Sequence, residues 1–125
     1  MLIDSIGRLP GPEFEILIAQ MGGAINRVAG DGTAYPHRDI EFLMNLHARW
    51  SDPADDQASI AFARQVFDAA APYSTGGVYV NFMPEDDAAR VRMGAYGTNY
   101  ERLSKLKTKY DPDNLFRMNQ NIPPA

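Results

Sequence analysis

The sequence feature that most constrains the fold is a regular alternation of apolar residues between positions 40 and 50. Side chains that repeat at every second position project from one face of a β-strand. We therefore predict a long strand over Ile40–Trp50 with one buried face. That face consists of the even-numbered residues Ile40, Phe42, Met44, Leu46, Ala48 and Trp50.

The opposite face of this predicted strand carries Leu43, Asn45 and His47 in succession. His47 fits two interpretations. It is either a solvated or helix-covered residue, or a lining residue of a polar pocket in which Asn45 is its neighbour. The alternation by itself leaves both interpretations open.

Two shorter segments, 13–19 and 78–82, show the same alternation, and we predict a strand for each. In the second strand, Tyr79 and Asn81 share one face. Two hydrogen-bonding side chains that project together could bind the polar edge of a planar ligand. The alternative is a half-exposed edge strand without a ligand. The apolar faces are Phe14, Ile16 and Ile18 in the first strand, and Val78, Val80 and Phe82 in the second.

Apolar residues at three- and four-residue spacing predict an amphipathic helix after the predicted strand over Ile40–Trp50. This helix ends at Pro72, and another is predicted from Pro84 to about Met93. The apolar stripe of the first consists of Ile60, Ala63, Phe67 and Ala70.

A third helix is predicted to begin at about residue 99, where Thr98 and Glu101 fit a capping box. Pro112 ends it. Its predicted apolar stripe consists of Leu103, Leu106 and Tyr110.

The predicted fold class is α+β, in one domain over residues 1–125. We expect an antiparallel-type sheet of about three or more strands, with helices packed on one face. An extended C-terminal tail rich in Asn and Pro follows the last helix.

Composition excludes several classes of function. The chain has no cysteine, which excludes disulfides, thiolate metal sites and cysteine nucleophiles. Its formal net charge of −4 argues against nucleic acid as the main partner. No apolar run approaches the ~18 residues of a membrane span, and the N-terminus does not resemble a signal peptide. We therefore expect a soluble, cytoplasmic protein.

We predict no metal site. His37 lies in a predicted turn, where a structural hydrogen bond is favoured over metal ligation. The segment 111–114 resembles part of a calcium loop, but it lacks the glycine and the terminal glutamate of that motif, so an Asx-capped turn is favoured. The basic residues between Arg90 and Arg117 favour a solvated helix face over a phosphate-binding patch.

Several motifs in order resemble the berberine-bridge-enzyme-like flavoproteins. They are Tyr79-Val80-Asn81-Phe82, then the segments 96–103, 107–116 and 119–124, together with 22–24 and 33–38 upstream. The resemblance extends from about Phe14 to Pro124.

This resemblance implies an FAD-dependent oxidoreductase that removes a hydride from an alcohol, amine or sugar-type substrate, with electrons passed on to oxygen in many members. Residues 13–82 would form part of the substrate-domain sheet and helix, and 83–125 the C-terminal helices and tail. The resemblance further implies that the N-terminal domain, which holds most of the FAD in the family, is absent from this chain. The chain is therefore expected not to be catalytic alone, and its expected partners are a flavin-binding domain, in cis or in trans, and a small-molecule substrate. The alternative is a stand-alone ligand-binding or self-associating domain, such as a homodimer.

The resemblance also implies roles for particular residues. Tyr79 and Asn81 would lie at the flavin ring, with Asn119 and Gln120 as further contacts. The substrate would be lined by Leu43, Asn45, His47 and Phe82. Well-studied members have a second tyrosine as catalytic base where this chain has Phe82, and Leu43 stands nearest to the strand carboxylate that serves in others. The resemblance therefore leaves the catalytic base unassigned. His47 is a weak candidate, suggested by the proton-exchange chemistry of an imidazole.

Overall fold

The computed structural model describes residues 2–125. Its α-helices are α1 (Leu2–Ile6), α2 (Ala24–Arg27), α3 (Asp56–Ala70) and α4 (Tyr100–Tyr110), and its strands are β1 (Glu15–Gln20) and β2 (Phe42–His47). Short 3-10 helices lie at Pro53–Asp55, Ala71–Tyr73, Val80–Phe82, Glu85–Arg90 and Gly97–Asn99, and a π-helix at Val91–Tyr96. The predicted α+β class is confirmed. No helix among residues 2–125 is both long enough and apolar enough to cross a membrane.

Contacts divide the chain into two compact units. The first unit comprises residues 2–21 and 41–75, and the second comprises 22–40 and 76–125. The first contains β1, β2 and α3, and the second contains α4 and the C-terminal tail.

The sheet in the described residues has two antiparallel strands, not three or more. β1 pairs with β2 from Glu15 opposite His47 to Gln20 opposite Phe42. The predicted strand over 40–50 is therefore shorter than expected. Its pairing ends at His47 because β1 begins only at Glu15, directly after a turn in which the Phe14 amide donates to the Gly11 carbonyl.

The predicted strand over 78–82 is wrong. Val80–Phe82 forms a 3-10 turn instead. The Phe82 amide donates to the Tyr79 carbonyl over 2.9 Å, so the backbone satisfies its hydrogen bonds locally and does not join a sheet.

The core of the first unit is built around Phe14, which is 4% exposed. Its ring stacks on Trp50 at 6.1 Å between centroids and meets Phe62 of α3 edge-on at 5.9 Å. Helix α3 has the predicted extent, but its inward face carries Ser59, Phe62 and Val66. The buried face differs from the predicted stripe because Phe62 contacts Phe14 and directs its own face toward the core. Ile60 and Phe67, which belong to the predicted stripe, are exposed.

The predicted buried face of β2 is also only partly buried. Phe42 is 59% exposed, and Ile18 on the paired strand is 54% exposed. These two residues lie toward the end of the sheet that is farther from the Phe14 contact with Trp50. The alternation therefore predicted a difference in burial that β2 does not have, since all its residues other than Phe42 are half-buried on both faces.

Helix α4 begins and ends close to the predicted positions, but the capping box is wrong. Glu101 pairs with Arg92, and Asn99 is the residue that precedes the helix. The side-chain nitrogen Nδ2 of Asn99 donates to the carbonyl oxygens of Gly30 (2.7 Å) and Thr33 (3.2 Å). These hydrogen bonds hold the loop that contains Gly30 and Thr33 against the start of α4.

The predicted apolar stripe of α4 is wrong as well, since Leu106 and Tyr110 are exposed. The buried residue is Ser104, whose hydroxyl donates to the Pro123 carbonyl over 2.8 Å. The helix thus faces the returning C-terminal tail, which forms turns and no helix or strand.

The predicted helix over 84–93 is not one regular α-helix, because Glu85–Arg90 is interrupted by a kink at Asp87. Its second part is the π-helix Val91–Tyr96. The carbonyl oxygen of Gly94 accepts from the Val78 amide (2.9 Å) and from His37 Nε2 (2.7 Å), so it is engaged outside the helix. His37 therefore has the structural hydrogen bond that the sequence favoured.

Asp111 ends α4 with the Asx-capped turn that the sequence favoured. Its carboxylate accepts from the amides of Leu115 (2.8 Å) and Phe116 (3.0 Å) and pairs with Lys107. The hydrogen bond from Lys107 and those from the two amides hold the pKa of this carboxyl below its ordinary value.

We expect Phe14→Ala to lower the free energy of unfolding by about 3–5 kcal/mol, because it removes a buried ring from two aromatic contacts. Phe42→Ala removes the same group from an exposed site of the sheet and should cost about 0.5 kcal/mol or less. Urea unfolding followed by circular dichroism measures both. Equal losses in the two variants would contradict the assigned core.

We expect Asp111→Asn to lower the melting temperature at neutral pH, because a neutral amide cannot replace the ion pair with Lys107. A carboxyl with a lowered pKa in the folded state stabilises above its unfolded value of 3.8, and this contribution is lost as the pH falls through the lower, folded value. The difference from wild type should therefore shrink in acid. Asp113→Asn makes the same charge change at an exposed site and is the control, and a difference that does not depend on pH would refute the assignment.

Candidate functional site

The three β2 residues predicted to line the substrate lie on one face of the sheet, and β1 adds residues to that face. In the antiparallel register, Leu43 is opposite Ala19, Asn45 opposite Leu17, and His47 opposite Glu15. Residues directly opposite one another project to the same side. Their role as a substrate lining stays a prediction.

Four polar side chains from β1, β2 and the segment after β2 form what we call the sheet-face cluster: Glu15, Asn45, His47 and Arg49. Asn45 Nδ2 lies 2.6 Å from His47 Nε2. On the other side of the ring, His47 Nδ1 lies 3.4 Å from Glu15 Oε2, and Arg49 Nη2 lies 3.1 Å from the same oxygen. The imidazole is thus held between an amide and a carboxylate.

Asn45 is the direct neighbour of His47, as the sequence predicted, and the role of His47 as a lining residue of a pocket stays a prediction. The side chain of His47 is 32% exposed, so the ring is accessible without being fully solvated. Glu15 was missed in the sequence. The residue stands at the start of a predicted strand, but only the register identifies it as the partner of His47.

Tyr79 and Asn81, which were predicted to contact a flavin ring, interact with each other in the second unit. Asn81 Nδ2 donates to the Tyr79 hydroxyl over 2.7 Å. The Tyr79 ring meets Phe82 edge-on, with centroids 5.1 Å apart. Although the predicted strand is wrong, the 3-10 turn still brings the two polar groups together. Phe82 supplies an apolar surface and has no group that accepts a proton.

Tyr35 extends this aromatic group and was not among the predicted site residues. Its ring packs edge-on against Tyr79 at 5.9 Å and against His37 at 5.4 Å, and Arg38 lies over its face. Burial raises the pKa of the Tyr35 phenol. Its hydroxyl oxygen is buried and has no hydrogen-bond partner among residues 2–125.

The two tail residues predicted as further flavin contacts differ in their positions. Gln120 Nε2 donates to the Pro84 carbonyl over 3.1 Å, which fastens the tail to the segment directly after Phe82. Asn119 adopts a left-handed conformation with φ 58, and its carbonyl accepts from the Asn121 amide. Asn119 therefore stabilises the turn in which Gln120 lies.

No group of three or more His, Asp or Glu side chains in the described part of the chain is placed to hold an ion. Several basic residues of α4 and of the segment before it have partners. Arg92 pairs with Glu101, Lys107 pairs with Asp111, and Arg102 Nη1 donates to the Asp31 carbonyl over 2.9 Å.

Comparison with known proteins identifies the class of domain. Residues 78–123 match the family model described as "Berberine and berberine like". This segment includes Tyr79, Asn81 and Phe82 as well as Gln120, so the hydrogen-bonded pair and the tail residue fall within the matched region.

Relatives extend the match over most of the chain. It is 36% identical over 115 residues to "Uncharacterized FAD-linked oxidoreductase YvdP" of Bacillus subtilis (strain 168), covering 92% of this chain and 25% of that protein. It is 30% identical over 120 residues to "Berberine bridge enzyme-like 17" of Arabidopsis thaliana, covering 83% of this chain and 23% of that protein. The structure of wild-type BBE-like 1 from Physcomitrella patens is similar, with a TM-score of 0.86 and 25% identity over 99% of this chain and 26% of that one.

The family model and the relatives agree on the class of protein that this chain resembles. The predicted resemblance is therefore confirmed: the chain is a relative of the berberine-bridge-enzyme-like FAD-linked oxidoreductases, with residues 78–123 as its family-specific region. It spans about a quarter of the length of the relatives that it matches.

We expect Gly77→Ala to disturb the aromatic group through His37. A Cβ at position 77 would lie 2.8 Å from His37 Cε1, so the ring must move and release the Gly94 carbonyl. The expected loss is about 1–3 kcal/mol in the free energy of unfolding, measured by urea unfolding, together with shifted His37 ring signals in NMR spectra. Gly11→Ala is the control, since no heavy atom lies within 4 Å of its Cβ position, and a neutral Gly77→Ala would overturn the packing described.

Proposed function

We propose that this chain is the C-terminal, substrate-covering part of an FAD-dependent oxidoreductase, and that turnover requires a flavin-binding part supplied in cis or in trans. The observation that carries the proposal is the hydrogen-bonded pair of Tyr79 and Asn81 inside the family-specific region. The names of the relatives support FAD as the cofactor of the group.

The residues present fit the ring of a flavin better than its phosphates. A phenol, an amide and the partnerless buried hydroxyl of Tyr35 are groups that hydrogen-bond to the polar edge of a planar heterocycle. The sequence has no glycine-rich phosphate loop. Tyr79 and Asn81 would therefore hold the ring edge, with Gln120 and Asn119 as further contacts, while the dinucleotide is held by the flavin-binding part.

The proposed reaction is the removal of a hydride from an alcohol, amine or sugar-type substrate, with oxygen as the final electron acceptor. Bound FAD would supply the hydride acceptor. The chain's own residues would bind the substrate and accept the proton that its hydroxyl or amine releases. His47 is the candidate for this role, since an imidazole exchanges protons near neutral pH. Phe82 and Leu43 contribute apolar surface only.

A specific observation also supports the second candidate function, a self-associating domain derived from such an enzyme. The tail residues Leu115, Phe116 and Met118 are 76–84% exposed. Neighbouring apolar side chains of this kind are commonly covered by a partner. Light scattering over a range of concentrations distinguishes a homodimer from a monomer, and a monomer at all concentrations would exclude this candidate.

The main proposal predicts that the isolated chain retains no FAD through gel filtration, whereas a chimera does. In the chimera, this chain replaces the matched segment of the Bacillus relative, so that the flavin-binding part is supplied in cis. We expect visible flavin absorbance in the chimera, bleached anaerobically by members of a panel of alcohols, amines and sugars. The double variant Tyr79→Ala, Asn81→Ala should weaken FAD retention about tenfold, because it removes hydrogen bonds at the ring.

Tyr73→Ala removes a tyrosine that is 82% exposed and is the matched control. Tight FAD binding with turnover by the isolated chain would overturn the requirement for a flavin-binding part. Equal FAD retention in the double variant and in the control would overturn the assignment of Tyr79 and Asn81.

A further inference from the structure

We propose that Glu15 is a positioning residue that holds the imidazole of His47 with its proton on Nδ1, so that Nε2 is presented as the proton acceptor. The catalytic meaning of this inference rests on the proposed function, but the tautomer itself is a property of the chain. Glu15 lies on a different strand from the residues that the sequence assigned to the substrate side.

The first support is the position of the carboxylate. Glu15 and His47 are the directly opposed pair at one end of the β1–β2 ladder, and Glu15 Oε2 lies 3.4 Å from His47 Nδ1. An ionised carboxylate only accepts hydrogen bonds. A proton on the Nδ1 atom is therefore favoured over a lone pair that faces the carboxylate.

The second support comes from the other side of the ring and is independent of Glu15. Asn45 Nδ2 lies 2.6 Å from His47 Nε2. An amide nitrogen only donates, so Nε2 must accept with its lone pair. Both neighbours thus select the same tautomer of a neutral imidazole, whereas a ring without such partners exchanges between two forms.

Arg49 fixes the carboxylate in turn. Its Nη2 lies 3.1 Å from the same Oε2 atom that faces His47. The side chains of Glu15 and Arg49 are 56% and 57% exposed, so an ion pair between them adds little to folding stability. We therefore assign the cluster to the orientation of His47 and not to the stability of the sheet.

The tautomer matters for the proposed reaction because of where the proton goes. Bound FAD would accept the hydride, which carries the electron pair of the broken substrate C–H bond, and His47 Nε2 would accept the proton that the substrate hydroxyl or amine releases. The Asn45 amide occupies that lone pair until a substrate hydroxyl or amine replaces it. The resulting imidazolium donates from Nδ1 to Glu15, and a carboxylate at that position stabilises its charge.

The test is the tautomer of His47 in the 125-residue chain, read from long-range 1H–15N NMR correlations at a pH where the rings are neutral. His37 is an internal reference of opposite type, because its Nε2 donates to the Gly94 carbonyl. We expect the Nδ1–H form for His47 and the Nε2–H form for His37. A His47→Asn variant assigns the two sets of signals.

Glu15→Ala should shift the His47 tautomer ratio toward the Nε2–H form about fivefold, since the carboxylate that faces Nδ1 is lost. Arg49→Gln leaves the carboxylate in place and should shift the ratio less than Glu15→Ala does, because Arg49 acts on His47 only through that carboxylate. His37 should be unchanged in both variants.

An Nε2–H form of His47 in the wild-type chain would overturn the inference, as would a ratio that Glu15→Ala leaves unchanged. Neither readout needs flavin or substrate. A chain that fails the FAD chimera experiment but shows the expected tautomer therefore contradicts only the proposed function, and the reverse result contradicts only the role of Glu15.

Discussion

The antiparallel pairing of β1 with β2 is the interaction on which the candidate site of the first unit depends. Its register sets Glu15 opposite His47, and the other pairs follow from it. A slip by one residue would turn Asn45 and His47 to the other face. Phe14 directly precedes β1 and packs against Trp50 and Phe62, so the hydrophobic contact that buries its ring also fixes where the strand begins.

A single backbone oxygen has a similar importance in the second unit. The Gly94 carbonyl accepts from the Val78 amide and from His37, which joins the loop that holds Tyr35 to the segment that leads into Tyr79. An unpaired buried carbonyl is costly, so its use by these donors favours the departure of residues 91–96 from a regular α-helix. π-helices of this kind are frequent at functional sites.

The two units bring different chemistry to the proposed oxidoreductase. The first offers an imidazole between a carboxylate and an amide, which suits proton transfer. The second offers a phenol and an amide beside aromatic rings, which suits contact with a planar cofactor. Its family-specific region ends beyond Gln120, which ties the tail to the segment after Phe82. The phosphate-binding function has no counterpart in the sequence, which is why a flavin-binding part belongs to the proposal.

The sequence by itself determined the α+β class, the extents of α3 and α4, the side to which alternate β2 residues project, and the resemblance to the family. These properties depend on local signals, such as proline stops and alternation, or on residue identity within motifs. Tertiary structure alone decided which faces of α3 and α4 are buried, that residues 80–82 form a turn, and that Glu15 and Tyr35 join the candidate sites. A five-residue alternation is satisfied equally by a strand or by a turn that completes its own hydrogen bonds. A cross-strand partner depends on register, and register is set by contacts such as Phe14 with Trp50 and Phe62, which join residues far apart in the chain.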